Sequence, residues 1–132
     1  MRLIIFVIIL LSAGVQASES RSVILTFVQF SSDKIWVYSV PHDTASSLPQ
    51  WVPGKGEPPL GVTEALSVAR LEYPNQELTS VRLTKKRYQG DELWFYIFEF
   101  FAPDQVVVLM NGVLVKGKTI NEKKFHQLLQ VQ

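Results

Sequence analysis

Residues 79–101, TSVRLTKKRYQGDELWFYIFEFF, decide the fold of this chain. Two runs rich in β-branched and aromatic residues, 79–88 and 92–101, flank the dipeptide Gly90-Asp91. Runs of this composition around a two-residue turn predict a β-hairpin. We therefore expect two neighbouring strands of an antiparallel sheet.

The register of this hairpin follows from its loop. With Gly90 and Asp91 in the loop, Arg82 faces Glu99, an opposite-charge pair that supports the register. The other face then carries four pairs: Val81 with Phe100, Leu83 with Phe98, Lys85 with Tyr96, and Arg87 with Trp94. That face is apolar at one end and places cations against aromatic rings at the other. The face of Arg82 and Glu99 is called the second face below.

Two more strands extend the predicted sheet. A turn at 102–105 leads to a strand at 106–110, and Asn111-Gly112, typical of a type I′ turn, leads to a strand at 113–116. The second face then carries these apolar residues: Tyr88, Leu93, Phe95, Ile97, Val108, Met110, Val113 and Val115. A sheet with one wet face alternates between apolar and polar residues. Here both faces are apolar, so both are expected to need cover.

Helices are predicted on either side of these last strands. Between residues 61 and 73, apolar residues recur with helical spacing at Val62, Leu66, Ala69 and Tyr73. This helix is expected to cover one face of the sheet. Residues 121–131 predict a short amphipathic helix with Asn121 as its N-cap. This helix, the N-terminal hairpin or a partner subunit is expected to cover the second face.

The N-terminal part divides into a hairpin and a linker. Residues 18–40 contain two β-branched and aromatic runs around a polar turn, which predicts a β-hairpin. Residues 41–60 hold five of the seven prolines and two glycines without a periodic apolar pattern, which predicts a linker. Residues 18–60 are expected to form a single domain with 61–132. The predicted fold class is α+β: an antiparallel meander of about four strands packed by one main helix, with an N-terminal hairpin and a short C-terminal helix.

Residues 1–17 have the pattern of a signal peptide. Met-Arg precedes an unbroken apolar run from Leu3 to Leu11, and small residues lead to Ala17. Nine apolar residues rise about 14 Å as a helix, too little for a hydrocarbon core of about 30 Å. Cleavage after Ala17 would leave a periplasmic or secreted protein with no transmembrane segment.

Composition excludes several classes of protein. The chain has 132 residues, 13 Lys and Arg against 12 Asp and Glu, and no cysteine. This length allows one domain, and the balanced charge argues against nucleic acid as a partner. Without cysteine the domain has neither disulfides nor thiolate metal ligands, so its stability must come from packed apolar area.

The order of elements over residues 58–117 resembles known families of small exported domains. It is carried by Ala65, Leu66 and Ala69 of the helix, Gly90, the aromatic strand 93–100, and residues 106–115 around Asn111-Gly112. This order resembles PepSY-type domains and, more broadly, the cystatin-like arrangement of one helix on an antiparallel meander. The resemblance implies a role in binding or inhibiting envelope proteins. The segment 88–91 departs from the inhibitory loop of cystatins.

Aromatic and cationic side chains are the candidate binding residues. Trp51 and Trp94, if exposed, would form a platform for a peptide or a sugar ring. Tyr96, Lys85 and Arg87 share the predicted face of Trp94. The alternative is that the tryptophans fold down as lids over a small core. For Lys85-Lys86-Arg87 the alternatives are a solvated strand end that discourages aggregation and a contact with an anionic partner.

Catalytic and metal-binding patterns are weak. His42, Asp43, Ser46 and Ser47 are the residue types of a hydrolytic triad, but all four lie in one proline-rich segment. A triad needs groups that converge from separate elements beside an oxyanion donor. His42 and His126 are far apart and have no thiol to complete a metal site. We therefore predict no catalytic residue, no metal and no cofactor, and a protein that is not an enzyme.

The predicted function is a non-catalytic, exported interaction domain of the cell envelope. Its partner is expected to be another envelope protein or a second copy of the chain, because the sheet has two apolar faces. The first alternative is a small-ligand or glycan binder that uses the exposed aromatics. The second alternative is a small protease-inhibitor-like domain of the envelope.

Overall fold

The computed structural model describes residues 22–29, 31, 34–101 and 104–132. The predicted signal peptide lies outside these residues, and so do residues 102 and 103 of the predicted turn. The elements are, in order, β1 (Ser22–Gln29), β2 (Lys34–Pro41), α1 (His42–Ser47), α2 (Val62–Glu72), β3 (Leu78–Tyr88), β4 (Asp91–Phe100), β5 (Asp104–Leu109), β6 (Leu114–Lys116), β7 (Lys118–Asn121) and α3 (Glu122–Leu129). The predicted α+β fold is confirmed, with its four-stranded meander, main helix, N-terminal hairpin and C-terminal helix.

The strands form two antiparallel sheets that pack face to face. One sheet is the meander in the order β3-β4-β5-β6, and the other has the order β1-β2-β7. Strands β4 and β5 form the centre of the molecule because they are buried on both faces. Their fully buried side chains include Phe95, Ile97, Phe98, Phe100, Val106, Val107, Val108 and Leu109.

Each face of the meander has its own cover. Helix α2 packs on the face of Tyr96 and Phe98 through its buried Ala65 and Ala69. The hairpin of β1 and β2 covers the second face. Of the three covers that the sequence allowed for this face, the structure therefore has the N-terminal hairpin. Helix α3 lies on the outside of this hairpin and buries Phe125 there. The layers are therefore helix, sheet, sheet, helix.

The loop of the β3–β4 hairpin is Gln89-Gly90, so the predicted loop Gly90-Asp91 is wrong. Tyr88 pairs with Asp91, and both loop residues have positive φ, 49° and 81°. Positive φ at both central positions is what a type I′ turn requires. From Ser80 to Tyr88 the cross-strand partners move by two residues, which keeps each side chain on its predicted face. The partners themselves differ: Arg82 lies opposite Ile97, Lys85 opposite Trp94, and Arg87 opposite Glu92.

The next turn differs from the type I′ turn predicted at Asn111-Gly112. The Leu109 N–H donates to the Val113 carbonyl at 2.9 Å, which leaves the three-residue loop 110–112. Of the two predicted turn residues, Gly112 alone has positive φ, 84°. A three-residue loop that ends on a left-handed glycine is the next most common hairpin connection.

The β4–β5 pairing changes the face of two residues. Ile97 pairs with Val107, and Val107 pairs with Val115. Val115 therefore lies on the second face, as predicted. Val108 and Met110 pack instead on the face covered by α2, so their predicted face is wrong. A shift of one residue in register moves a side chain to the other side of the sheet.

The segment between β2 and α2 contains a helix that the sequence analysis did not predict. Helix α1 begins directly after β2, and Ala45 and Leu48 bury their side chains in the core between the sheets. The six residues HDTASS are too short and too polar to show a helical period. The first part of the predicted linker is thus packed against the core.

The two sheets are joined at Gly117, between β6 and β7. A Cβ atom at this position would lie 2.9 Å from Cζ of Tyr38. The Tyr38 ring is buried, and its hydroxyl donates to the Gln105 carbonyl at 2.9 Å. Burial is the main reason that the pKa of Tyr38 is raised to about 12. Gly117 allows the chain to cross from one sheet to the other over this ring.

We expect Gln89→Asn to stabilise the protein. Gln89 has φ of 49°, where asparagine fits better than other side-chain-bearing residues. The expected gain in free energy of unfolding is up to about 1 kcal/mol, part of the cost of holding a side-chain-bearing residue in the left-handed region, and is measured by denaturant unfolding. Gln89→Ala is the control, because alanine keeps the unfavourable φ. Equal stabilities of the Asn and Ala variants would contradict this account of the turn.

We expect Gly117→Ala to destabilise the protein. The new methyl group would overlap the Tyr38 ring, and overpacking of this kind costs about 1–3 kcal/mol. Gly61→Ser is the matched control, because a Cβ there meets nothing within 4 Å and serine is favourable at this N-cap of α2. Thermal unfolding should show a lower Tm for the first variant alone, and an unchanged Tm at position 117 would show that the ring does not constrain the corner.

Candidate functional site

Three of the predicted binding residues meet on the face of the meander that α2 covers. The rings of Trp51 and Trp94 lie edge to face, with centroids 4.9 Å apart and an interplanar angle of 75°. Lys85 Nζ lies 5.4 Å from the centroid of Trp94 and 2.8 Å from Glu92 Oε1. We call Trp51, Trp94 and Lys85 the aromatic cluster. It combines a cation–π contact of Lys85 on Trp94 with an edge-to-face contact between the two indoles.

The remaining two predicted residues border this cluster. Tyr96 is buried next to Trp94 on the same face, and its hydroxyl donates to the Leu60 carbonyl at 2.7 Å. Burial, with a smaller contribution from Glu64, raises the pKa of Tyr96 above its usual value. Arg87 is exposed at the end of β3. Tyr96 therefore holds the loop in place, and Arg87 is the residue that faces solvent.

The geometry of the two indoles favours a lid more than a platform. Both tryptophans are half-buried, and their edge-to-face arrangement leaves no flat surface shared by the two rings. Trp51 Nε1–H donates to the Gly56 carbonyl at 3.2 Å. Within the described residues, the buried Nε1–H of Trp94 has no hydrogen-bond acceptor. The cluster fastens the loop after α1 to the sheet.

His42 takes part in a small polar chain at the start of α1. The Tyr88 hydroxyl contacts its Nδ1, and Ser46 Oγ lies 3.5 Å from its Nε2. Ser47 donates to the Thr44 carbonyl at 3.0 Å instead of joining this chain. The contact with Tyr88 links α1 to the end of β3.

The free edge of β3 was not predicted from the sequence. This strand has eleven residues and pairs with β4 on one side; no strand of the described chain pairs with its other side. It contains four cationic residues, Arg82, Lys85, Lys86 and Arg87, and no acidic residue. The basic triplet at 85–87 was the visible signal, but the sequence did not show that the strand lies at an edge.

The edge of β1 is free of strand partners too, but it is blocked. The Gln132 side chain accepts from the Ile24 N–H at 2.8 Å and donates to the Ser22 carbonyl at 3.1 Å. A bulge between Ile24 and Thr26 also interrupts the strand. Side-chain caps and bulges are ways in which proteins protect sheet edges. Of these two edges, β3 is thus the open one.

The two edges lie on the same side of the sandwich and run in opposite directions. A pocket of about 580 Å³ is lined by Ser22 of β1 and by Lys86 of β3. A second pocket of about 750 Å³ is lined by Val28 of β1 and by Arg82 of β3. We call the space between the two edges the cleft. On the opposite side the sheets are joined at Gly117, so the sandwich is open on the β1–β3 side.

The four basic residues of β3 differ in whether they form an ion pair. Arg82 Nη2 lies 3.2 Å from Glu99 Oε1, a diagonal pair in place of the direct pair predicted. Lys85 is paired with Glu92 in the aromatic cluster. Lys86 and Arg87 have no acidic partner among the residues that the structure describes. The end of β3 therefore carries positive charge that no acidic side chain of the described residues neutralises.

Comparison with protein-family models, with curated proteins and with solved structures found no match for this chain. The resemblance to PepSY-type and cystatin-like domains stays a prediction. No helix in the described part of the chain is long and apolar enough to cross a membrane. In the same residues, no group of three or more His, Asp or Glu side chains lies close enough together to hold a metal ion.

We expect Trp51→Ala to destabilise the protein by about 1–2 kcal/mol, because it removes a half-buried aromatic contact of Trp94. The tryptophan emission should shift to longer wavelength as the ring of Trp94 becomes more exposed. Val52→Ala is the control in the same loop, since Val52 is 57% exposed. A Trp51 variant with wild-type stability would instead favour the platform interpretation.

Proposed function

We propose that this protein is a non-catalytic exported binding domain that takes up an extended, acidic segment of another envelope protein as a strand beside β3. The observation that carries the proposal is the eleven-residue free edge of β3 with its four cationic and no acidic residues. A free edge presents backbone N–H and C=O groups that an extended peptide pairs with. Export is the prediction made from residues 1–17.

Charge supports a partner protein over a second copy of the chain. Pairing two β3 edges would bring eight cationic side chains together, and like charges on adjacent strands are destabilising. A segment with Asp or Glu would instead meet Lys86 and Arg87, which have no acidic partner in the described chain. The edge is therefore suited to an acidic strand.

The geometry gives less support to the two alternatives. A glycan platform needs accessible ring faces, whereas Trp51 and Trp94 cover each other edge to face. A protease-inhibitor-like role needs an exposed loop that enters a protease, and Gln89-Gly90 forms a turn of only two residues. We therefore propose strand addition at β3 as the function.

Synthetic peptides of nine residues provide the test. We expect a peptide of alternating Glu and Val to shift the backbone amide signals of β3 in NMR spectra and to slow their hydrogen exchange. The same peptide with Lys in place of Glu should have no effect. The double variant Lys86→Glu/Arg87→Glu should reverse this preference, and Lys123→Glu/Lys124→Glu on α3 is the matched control.

Methylation of the peptide nitrogens distinguishes strand addition from charge attraction alone. In an added strand, only alternate backbone N–H groups point toward the neighbouring strand and donate hydrogen bonds to it. Methylation of one alternate set should therefore abolish binding, and methylation of the other set should leave it intact. The proposal is wrong if the acidic peptide leaves β3 unchanged, or if its effects lie at Trp51 and Trp94.

A further inference from the structure

We infer that the bound segment carries one large apolar side chain and, four or six residues away, one carboxylate, both directed into the cleft between β1 and β3. This inference rests on the proposed function, since it assumes strand addition at β3. Beyond the proposed function, it specifies which side chains of the partner are recognised. The inference comes from the two ends of the cleft, which differ in chemistry.

One end of the cleft suits an apolar side chain. Its pocket of about 750 Å³ has an apolar wall formed by Val28, Trp36, Phe100 and Phe101. The rest of its lining is polar and consists of the ion pair of Arg82 and Glu99, together with Thr79, Asp104 and Gln105. Phe101 lines this pocket and is 68% exposed. A phenylalanine or leucine from the partner would cover the Phe101 ring and remove apolar surface of both side chains from water.

The other end suits a carboxylate. Its pocket of about 580 Å³ is lined by His42, Lys86 and Arg87, and no Asp or Glu is among its lining residues. Tyr88 and Gln89 add polar groups to the same wall. Lysine and arginine without acidic partners are donors of charge-assisted hydrogen bonds to a carboxylate.

Charge at the two ends also sets the order of the two side chains. Asp104 lines the apolar pocket, and Glu99 already occupies Arg82 there. A partner carboxylate at that end would therefore meet a negative neighbour without a free cation. The carboxylate therefore belongs at the end of the cleft that Lys86 and Arg87 line. Only one direction of the bound segment places both side chains in their pockets.

The spacing follows from the period of the strand. Arg82, Lys86 and Tyr88 share the face of β3 that is directed toward the cleft, because they pair with Ile97, Leu93 and Asp91 on the second face. Side chains on one face of a strand are separated by an even number of residues. The partner residues beside Arg82 and beside Lys86 or Tyr88 are thus four or six apart, about 13–20 Å.

A series of nine-residue peptides with a Thr and Ser background tests the inference. Each peptide contains one Phe and one Glu, separated by four, five or six residues, in both orders. In one of the two orders, we expect peptides with a spacing of four or six residues to bind about tenfold more tightly than the peptide with a spacing of five. The odd spacing directs one of the two anchor side chains to solvent. Dissociation constants come from isothermal titration or fluorescence anisotropy.

Two variants assign the anchors to the two pockets. Phe101→Ser should weaken the best peptide about tenfold and leave a peptide without Phe unaffected. The Lys86→Glu variant should no longer bind the peptide that contains Glu, and it should bind a peptide in which Lys replaces that Glu. Leu71→Ser, at an exposed apolar residue of α2 that lines neither pocket, and Lys123→Glu are the controls, and circular dichroism checks that each variant is folded.

The outcomes separate this inference from the proposed function. If peptides protect the β3 amides regardless of spacing and order, strand addition stands and the two-anchor inference is wrong. If no peptide of the series or of the Glu-Val type binds, both are wrong. If the Phe101 and Lys86 variants bind every peptide as the wild type does, the pockets do not contact the partner and the inference is again wrong.

Discussion

Burial on both faces of β4 and β5 is the constraint on which the other elements depend. Phe95 and Ile97 are buried on one face, and Tyr96 and Phe98 on the other. Each of these large side chains contributes about 1.5–3 kcal/mol when it is removed from water, so neither face is stable when wet. Helix α2 covers one face and the β1–β2 hairpin covers the other. In a chain without cysteine, these two covers supply the cohesion that disulfides give to many exported domains.

Covering the second face with a separate hairpin creates a sandwich with one open side. The chain crosses between the sheets at Gly117, where the absence of a side chain lets it pass over the Tyr38 ring. This crossing closes the β6–β7 side. On the opposite side, β1 and β3 come from distant parts of the chain, and no strand of the described residues bridges them. The cleft and its two pockets result from this asymmetry.

The sequence predicted the elements and the need for two covers, because both depend on the period of apolar residues. It did not predict the loops as well, because a glycine occupies more than one position of a turn. Moving the first loop to Gln89-Gly90 changes the partners by two residues and keeps the faces. The predicted turn at 102–105 places Phe101 opposite Val106, but Val106 pairs with Phe98, an odd shift of three residues that moves Val108 to the other face. The three-residue loop 110–112 then shifts β6 by one residue, which keeps Val115 on the second face.

The candidate site was only partly predictable for a similar reason. Trp51 and Trp94 were identified by residue type, and Lys85 by its face. That Trp51 folds onto Trp94 depends on the path of a loop without periodicity. The open edge and the cleft could not be found, because Val28 and Arg82 are brought together by the stacking of two sheets. Strand β7, with the polar sequence KTIN, shows no alternation that would have predicted it.

The basic residues of β3 have two consequences that support each other. An exposed strand edge invites pairing with any other free edge, and lysine or arginine on that edge discourages it. The same residues repel a second β3 strand and attract a strand that carries carboxylates. Because Glu99 and Glu92 neutralise Arg82 and Lys85, this selection is concentrated at Lys86 and Arg87. In the function proposed above, protection from aggregation and choice of partner are thus one electrostatic property of the edge, and the cleft behind it would add a requirement on the shape and spacing of the partner's side chains.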